Sequence, residues 1–130
     1  MKKILVIEDN EQNLYLVTYL LEKNGYEVVP ARDGREGIEL AKRVEPALIL
    51  MDIQLPLMDG YAVVRELKKT PALEHIPIVA VTSYAMTGDR ELAMSIGCAG
   101  YIEKPIDPET FVLQIDGHLN GPARGNGGGR

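Results

Sequence analysis

Five short apolar segments alternate with amphipathic segments along the chain. The apolar segments are Ile4–Ile7, Tyr26–Val29, Ala47–Met51, Ile78–Val81 and Ala99–Ile102. Two stretches, Ile4–Ile7 and Leu48–Met51, are apolar throughout, which is typical of strands covered on both faces. Between the segments, apolar residues recur at helical spacing. Strands and helices that alternate with short connections predict a doubly wound α/β fold, in which helices cover both faces of a parallel sheet.

Turn and cap residues mark the ends of the predicted helices. Asn24-Gly25 is expected to end the first helix, and Asp107-Pro108 to begin the fifth. Gly117 and Gly121-Pro122 are expected to end the fifth helix early. The fourth helix has the weakest pattern, and the spacing of Asp89, Leu92, Ala93 and Ile96 gives it an apolar face.

The chain is expected to form one domain over residues 1–120. Residues 121–130 read GPARGNGGGR, without a large apolar side chain, so we expect a flexible glycine-rich tail. The sequence leaves open whether this tail is native, a shortened linker or a remnant of expression.

Composition narrows the classes of partner. The 130 residues carry a net charge of −5, which argues against nucleic acid as a direct partner. The single cysteine, Cys98, cannot form an internal disulfide, and we expect it to be a small buried hydrophobe. The apolar run at Ile4–Ile7 is too short for a signal peptide or a membrane span, so we expect a cytoplasmic protein without membrane insertion.

Polar residues follow the predicted strands at the ends where ligands bind in this fold class. Glu8-Asp9 follows the first strand, Asp52 the third, Thr82 ends the fourth, and Lys104 follows the fifth. In a parallel sheet these ends share one edge. Three carboxylates at close range repel one another unless a cation lies among them, and oxygen ligands favour Mg²⁺.

The same residues could perform phosphoryl transfer. Asp52 is a candidate nucleophile that would form an acyl phosphate. Lys104 and Thr82 would each bind a phosphoryl oxygen, and the metal would bind another. Each equatorial oxygen would then have a partner, which phosphoryl transfer requires.

Four separated motifs resemble response-regulator receiver domains of two-component systems over about residues 2–118. The motifs are ILVIEDN at 4–10, LMDIQLPLMDG at 50–60, Val81-Thr82 and Lys104-Pro105. The sequence HIPIVAVT at 75–82, together with Gly97-Cys98, resembles stand-alone receivers of the DivK type. Receivers fused to hybrid histidine kinases look similar. The resemblance implies a flavodoxin-like sheet with the strand order 2-1-3-4-5.

The resemblance also implies a role for each matching residue. Asp52 matches the phospho-acceptor and Lys104 the phosphate-pairing lysine. The metal ligands would be Asp9, Asp52 and the backbone carbonyl of Gln54, with Glu8 acting through water. Mn²⁺ could replace Mg²⁺. The Lys104-Pro105 bond matches a peptide bond that is usually cis in the family.

A switch mechanism follows from the same resemblance. Phosphorylation would draw Thr82 and the loop Ser83–Asp89 inward, and Tyr101 would rotate into the vacated space. The readout surface would be helix four, strand five and helix five, which would contact a downstream regulatory protein. The donor, a histidine kinase or a histidine phosphotransfer protein, would dock near helix one. The domain would thus be a switch that catalyses only its own phosphorylation and dephosphorylation.

Each of these residues also has a simpler interpretation. Asp9 could cap the first helix, although Asn10 is the better candidate. Asp52 could begin a turn, and Thr82 could be an ordinary strand residue. Lys104 could be solvated, and Tyr101 could be part of the core.

Three other classes of protein fit parts of the pattern. A haloacid-dehalogenase-like phosphatase needs a second aspartate where Gln54 stands. A flavodoxin-like nucleotide or flavin carrier needs a phosphate-binding loop after strand one, where Glu8-Asp9 would repel phosphate. A pseudo-receiver scaffold usually lacks one of the site residues, and none is missing here.

Overall fold

The computed structural model of the chain describes residues 1–55, 57–83 and 88–120. Strands and helices alternate through these ranges. The strands are β1 (Lys3–Ile7), β2 (Glu27–Ala31), β3 (Leu48–Asp52), β4 (Ile78–Thr82) and β5 (Gly100–Glu103). The helices are α1 (Glu11–Lys23), α2 (Gly34–Val44), α3 (Gly60–Lys69), α4 (Asp89–Ser95) and α5 (Pro108–Asn120). The predicted tail, 121–130, lies outside the described residues.

The strands form one parallel sheet in the order β2-β1-β3-β4-β5. The predicted doubly wound fold and its strand order 2-1-3-4-5 are therefore confirmed. The register pairs Ile7 with Met51 and Asp52 with Val81. The residues that follow β1, β3 and β4 consequently meet at one edge of the sheet. This edge lies beside the point between β1 and β3 where the strand order reverses, which is where ligands bind in this fold class.

Side chains that alternate along the strands pack into two hydrophobic cores, one on each face of the sheet. Leu5 and Ile7 point to the core beneath α2, α3 and α4, whereas Ile4 and Val6 point to the core beneath α1 and α5. β3 and β4 are buried along their whole length. Burial on both faces explains why these segments lack a polar alternation.

The predicted second strand is displaced from the observed one. β2 begins at Glu27 and includes Pro30 and Ala31, while Tyr26 precedes the strand as a buried residue. Proline is tolerated here because β2 is an edge strand, which among the described residues pairs only with β1. The predicted strand ended too early because the apolar run Tyr26–Val29 stops before Pro30 and Ala31.

Side-chain caps set the starts of several helices. The Asn10 side chain accepts a hydrogen bond from the Asn13 backbone at 2.9 Å, so Asn10 rather than Asp9 caps α1. Asp107 accepts from the Glu109 backbone, and α5 begins at Pro108 as predicted. α1 ends at Lys23 with Asn24 as its C-cap, which confirms the predicted stop.

Two expectations about the later helices were wrong. The expected stop at Gly117 is wrong: α5 continues through Gly117 to Asn120, because one glycine costs a helix only about 1 kcal/mol. The expected stop at Gly121-Pro122 lies outside the described residues. On α4, Ala93 is buried but Leu92 is 40% exposed, so the predicted apolar face is narrower than its spacing suggested. α4 has 7 residues, too few turns to bury a full stripe.

In the part of the chain that the structure describes, none of the helices has the length and apolar character needed to cross a membrane.

Candidate functional site

Three carboxylates gather where β1 and β3 end. Glu8 and Asp9 follow β1, Asp52 is the last residue of β3, and one oxygen from each lies within 4.8 Å of the others. Glu8 and Asp52 are buried, and Asp9 is exposed. A cluster of oxygen ligands with one open side fits a hard divalent cation that keeps some of its water. The three side chains that the sequence nominated as ligands are therefore brought together and fit Mg²⁺.

Lys104 lies against this cluster. Its Nζ is 3.0 Å from Glu8 Oε1 and 3.0 Å from Asp52 Oδ2, and its side chain is only 10% exposed. Burial by itself would lower the pKa of Lys104, but the hydrogen bonds to Asp52 and Glu8 outweigh it and raise the pKa above its usual value. Lys104 therefore carries a stable positive charge and is not a solvated surface lysine.

Burial also disfavours the charged form of Glu8, and here its effect is the larger one. Loss of water raises the pKa of Glu8 above its usual value, and the Asp52 charge adds to this rise. The hydrogen bond from Lys104 and the backbone hydrogen bond from Asn10, at 3.1 Å, act against it. The cluster thus contains more negative charge than one ammonium can neutralise, which is the condition that favours an added cation.

Backbone contacts fix the position of Asp52. Its Oδ1 accepts a hydrogen bond from the Gln54 backbone at 2.8 Å, while Oδ2 faces Lys104. A Cβ on Gly60 would lie 2.5 Å from the Ile53 carbonyl oxygen, so only glycine lets α3 begin so close to the end of β3. The metal-ligand role of the Gln54 carbonyl remains a prediction.

Thr82 reaches the same edge from β4. It is the last residue of that strand, it is 2% exposed, and its carbonyl accepts a hydrogen bond from the Lys104 backbone at 2.8 Å. This bond places the segment carrying Lys104 beside the end of β4. The Lys104-Pro105 peptide bond is cis, as the resemblance implied.

Tyr101 lies further from the carboxylates, within β5. The register pairs it with Ala80, two residues before Thr82, so Thr82 and Tyr101 share one face of the sheet. The ring is 8% exposed, so Tyr101 is buried in this structure. The loop predicted to move, Ser83–Asp89, includes residues 84–87, which lie outside the described ranges.

One contact near Tyr101 had no signal in the sequence. The guanidinium carbon of Arg90 lies 5.9 Å from the centroid of the Tyr101 ring. Arg90 occurs in a short, weakly patterned helix, and cation–π contacts between distant residues have no local pattern that predicts them.

Comparison with known proteins places this geometry in a large family. A sequence model described as "Response regulator receiver domain" matches residues 4–116. The polar-differentiation response regulator DivK of Brucella anthropi is 45% identical over 118 residues, which cover 91% of this chain and 96% of DivK.

Two solved structures illustrate the similarity of fold. The chemotaxis protein CheY4 of Vibrio cholerae superposes with a TM-score of 0.85 at 27% identity, covering 92% of this chain and 98% of CheY4. The receiver domain of a sensor histidine kinase from Pseudomonas aeruginosa, with a magnesium ion coordinated in its active-site cleft, gives a TM-score of 0.82 at 33% identity. That match covers 91% of this chain and 96% of the Pseudomonas domain.

Proposed function

The chain belongs to the response regulator receiver family of two-component systems, and from this we propose that Asp52 accepts a phosphoryl group in a Mg²⁺-dependent reaction. Receiver domains are signalling switches rather than classical enzymes, and this chain would catalyse only its own phosphorylation and dephosphorylation. The observation that carries the proposal is the contact between Lys104 Nζ and Asp52 Oδ2, at 3.0 Å, inside a cluster of three carboxylates. This arrangement joins a nucleophile, a fixed cation and ligands for a metal.

We propose a phosphohistidine as the physiological donor, on a histidine kinase or a histidine phosphotransfer protein. A carboxylate oxygen of Asp52 attacks phosphorus, the P–N bond of the donor breaks, and the leaving imidazole takes up a proton. Lys104 then exchanges its contact with the Asp52 oxygen for a phosphoryl oxygen. Lys104 loses its ion pair with the Asp52 carboxylate but gains one with the phosphoryl group, whose charge is about −1.5 to −2 at neutral pH.

The acidic cluster would hold the cation. Glu8, Asp9 and Asp52 supply the carboxylate oxygens, Glu8 acting through water, and the Gln54 carbonyl completes the set. Bound Mg²⁺ would neutralise charge on a transferring phosphoryl oxygen. Mn²⁺ would substitute, because it accepts the same oxygen ligands.

The switch would run from Thr82 to Tyr101. The Thr82 hydroxyl would turn to a phosphoryl oxygen, and the shared sheet face would transmit its movement to the Tyr101 ring. The proposed readout surface consists of α4, β5 and α5. It is supported by exposed apolar side chains on both helices, with Leu92 40% exposed and Leu113 69% exposed. Such side chains suit contact with a downstream regulatory protein.

The donor would dock near α1, which begins beside the carboxylates. Tyr15 and Tyr19 are 76% and 51% exposed and lie one turn apart on this helix. Aromatic side chains of this kind are common anchors at protein interfaces.

A direct test compares two donors. The protein is incubated with MgCl₂ and either acetyl phosphate or a purified phosphorylated histidine phosphotransfer protein, and intact mass spectrometry follows the added phosphate. We expect labelling that requires Mg²⁺ and disappears in Asp52→Asn. Glu39→Gln, which removes an exposed carboxylate from α2, is the matched control and should label normally. Labelling that persists in Asp52→Asn would refute the assignment, and no labelling by either donor would favour the scaffold interpretation.

A further inference from the structure

The ring of Tyr101 is covered by a cation from the neighbouring helix. Arg90 lies in α4 and is itself exposed, and its guanidinium carbon is 5.9 Å from the Tyr101 ring centroid. At this distance the positive charge is attracted by the electron-rich face of the ring. The ring makes this contact in its buried position, and the contact stabilises that position.

The hydroxyl of Tyr101 acts in the other direction. It is buried, and no hydrogen-bond partner for it occurs among residues 1–55, 57–83 and 88–120. A buried hydroxyl that has lost water without gaining a partner is costly, whereas an exposed ring would keep its hydroxyl hydrated. Burial also raises the pKa of Tyr101, which keeps the hydroxyl neutral.

We propose that Arg90 is a positioning residue that holds Tyr101 in its buried position against the cost of a buried hydroxyl that has no partner among the described residues. Two opposing effects therefore act on the position of the ring: the Arg90 contact favours burial, and the buried hydroxyl disfavours it. Its connection to phosphorylation rests on the proposed function, in which Tyr101 is part of the switch.

The construction of α4 suits a helix that can shift. It spans 7 residues, and Gly88, at its N-cap position with a φ of +95°, provides no side-chain cap. Only Ala93 of this helix is buried among its described residues. A small movement of α4 would carry Arg90 away from the ring, and among the described residues no ion pair holds the guanidinium in place.

The thermodynamic linkage between the position of the Tyr101 ring and phosphorylation predicts the direction in which each substitution changes phosphorylation. If phosphorylation favours the buried ring, then a residue that favours the buried ring must favour the phosphorylated state at equilibrium. Arg90 and the Tyr101 hydroxyl should then have opposite effects. Removing the guanidinium should disfavour phosphorylation, and removing the hydroxyl should favour it.

The first experiment measures the ring position without phosphate. The protein is labelled with 3-fluorotyrosine, the Tyr101 signal is assigned by its loss in Tyr101→Phe, and a soluble paramagnetic agent reports the exposure of the ring by ¹⁹F NMR. Arg90→Ala should shift the buried-to-exposed ratio by roughly two- to fivefold toward exposure. Arg90→Lys should have a smaller effect, and Arg65→Ala, which removes an exposed arginine from α3, should have none.

The second experiment measures the equilibrium extent of phosphoryl transfer from a purified phosphorylated histidine phosphotransfer protein, because linkage governs equilibria. We expect Arg90→Ala to lower the equilibrium constant by up to roughly two- to fivefold and Tyr101→Phe to raise it. In a Tyr101→Ala background, Arg90→Ala should change nothing further, because its partner is gone.

The two experiments separate two kinds of failure. An unchanged Tyr101 signal in Arg90→Ala would overturn the positioning role of Arg90. A released ring with an unchanged phosphorylation equilibrium would support that role and refute the coupling between Tyr101 and the acceptor site. Absence of phosphorylation in the unmodified protein would refute the proposed function, while the NMR result would still decide the role of Arg90.

Discussion

Lys104 lies between Glu8 and Asp52, with its ammonium 3.0 Å from a carboxylate oxygen of each. The lysine proposed to bind phosphate therefore neutralises part of the metal cluster in this structure. A divalent cation bound there would compete with Lys104 for the same oxygens, and the two cations would also repel each other. Mg²⁺ binding and the position of Lys104 are consequently linked.

Replacing Lys104 by alanine should strengthen Mg²⁺ binding while weakening phosphorylation. We expect the Mg²⁺ affinity to rise roughly tenfold, since the carboxylates lose their fixed cation. The rate of phosphorylation by acetyl phosphate should fall roughly a hundredfold, because one phosphoryl oxygen loses its partner. Isothermal titration calorimetry measures the first change and mass spectrometry the second. Lys69→Ala, on the exposed end of α3, is the control; weaker Mg²⁺ binding by Lys104→Ala would contradict this prediction.

Mg²⁺ should stabilise the folded protein, because only the fold assembles the three carboxylates. At about ten times the dissociation constant the gain in unfolding free energy is about 1.4 kcal/mol, which corresponds to a rise in thermal midpoint of roughly 3–6 °C. Differential scanning fluorimetry against NaCl of equal ionic strength measures it. Asp9→Asn should lose most of the gain and Glu39→Gln should keep it; equal gains in both variants would place the cation elsewhere.

Gly100 and His118 should behave as a coupled pair. A Cβ on Gly100 would lie 2.3 Å from His118 Nε2, so the imidazole of α5 occupies the space that a side chain on β5 would need. Gly100→Ala should destabilise the fold by about 1–3 kcal/mol. In a His118→Ala background the same substitution should cost much less, as urea unfolding of the double-mutant cycle will test. Gly117→Ala, at an open helical position, should be stabilising; additive costs in the cycle would argue against the contact.

His118 should also make stability depend on pH. Burial lowers the pKa of His118 below its ordinary value, so the fold favours the neutral ring. The contribution is therefore fully present above the unfolded pKa of about 6.5 and is lost as the pH falls through the folded pKa. Urea midpoints between pH 7.5 and 5.5 should fall less in His118→Gln than in the unmodified protein. Parallel pH curves for the two proteins would exclude this contribution.

Cys98 should resist alkylation while the protein is folded. The side chain is buried, and burial raises the pKa of its thiol to about 11, so almost no thiolate exists at pH 8. Iodoacetamide should label Cys98 at least about a hundredfold more slowly than in urea-unfolded protein. Mass spectrometry measures both rates, and rapid labelling of the folded protein would indicate an opening at the junction between α4 and β5.

The repeating pattern of apolar and polar residues was sufficient to predict the sheet class and the gathering of the site residues. Glu8, Asp52, Thr82 and Lys104 were nominated because each ends or follows a strand, and parallel strands end at one edge. The pattern failed where the surroundings of a residue decide its role. Pro30 is part of β2 because that strand is at the edge, and Leu92 is exposed because α4 is short.

The sequence by itself determined which elements form and which chemical groups reach the edge of the sheet, because hydrophobic period and strand polarity are local properties. Only the tertiary structure decided that Lys104 bridges Glu8 and Asp52, that His118 covers Gly100, and that Arg90 lies over Tyr101. These contacts join residues from separate elements, and their distances depend on how helices pack on the sheet. No local pattern records that packing, because it is set by the summed volumes of the core side chains.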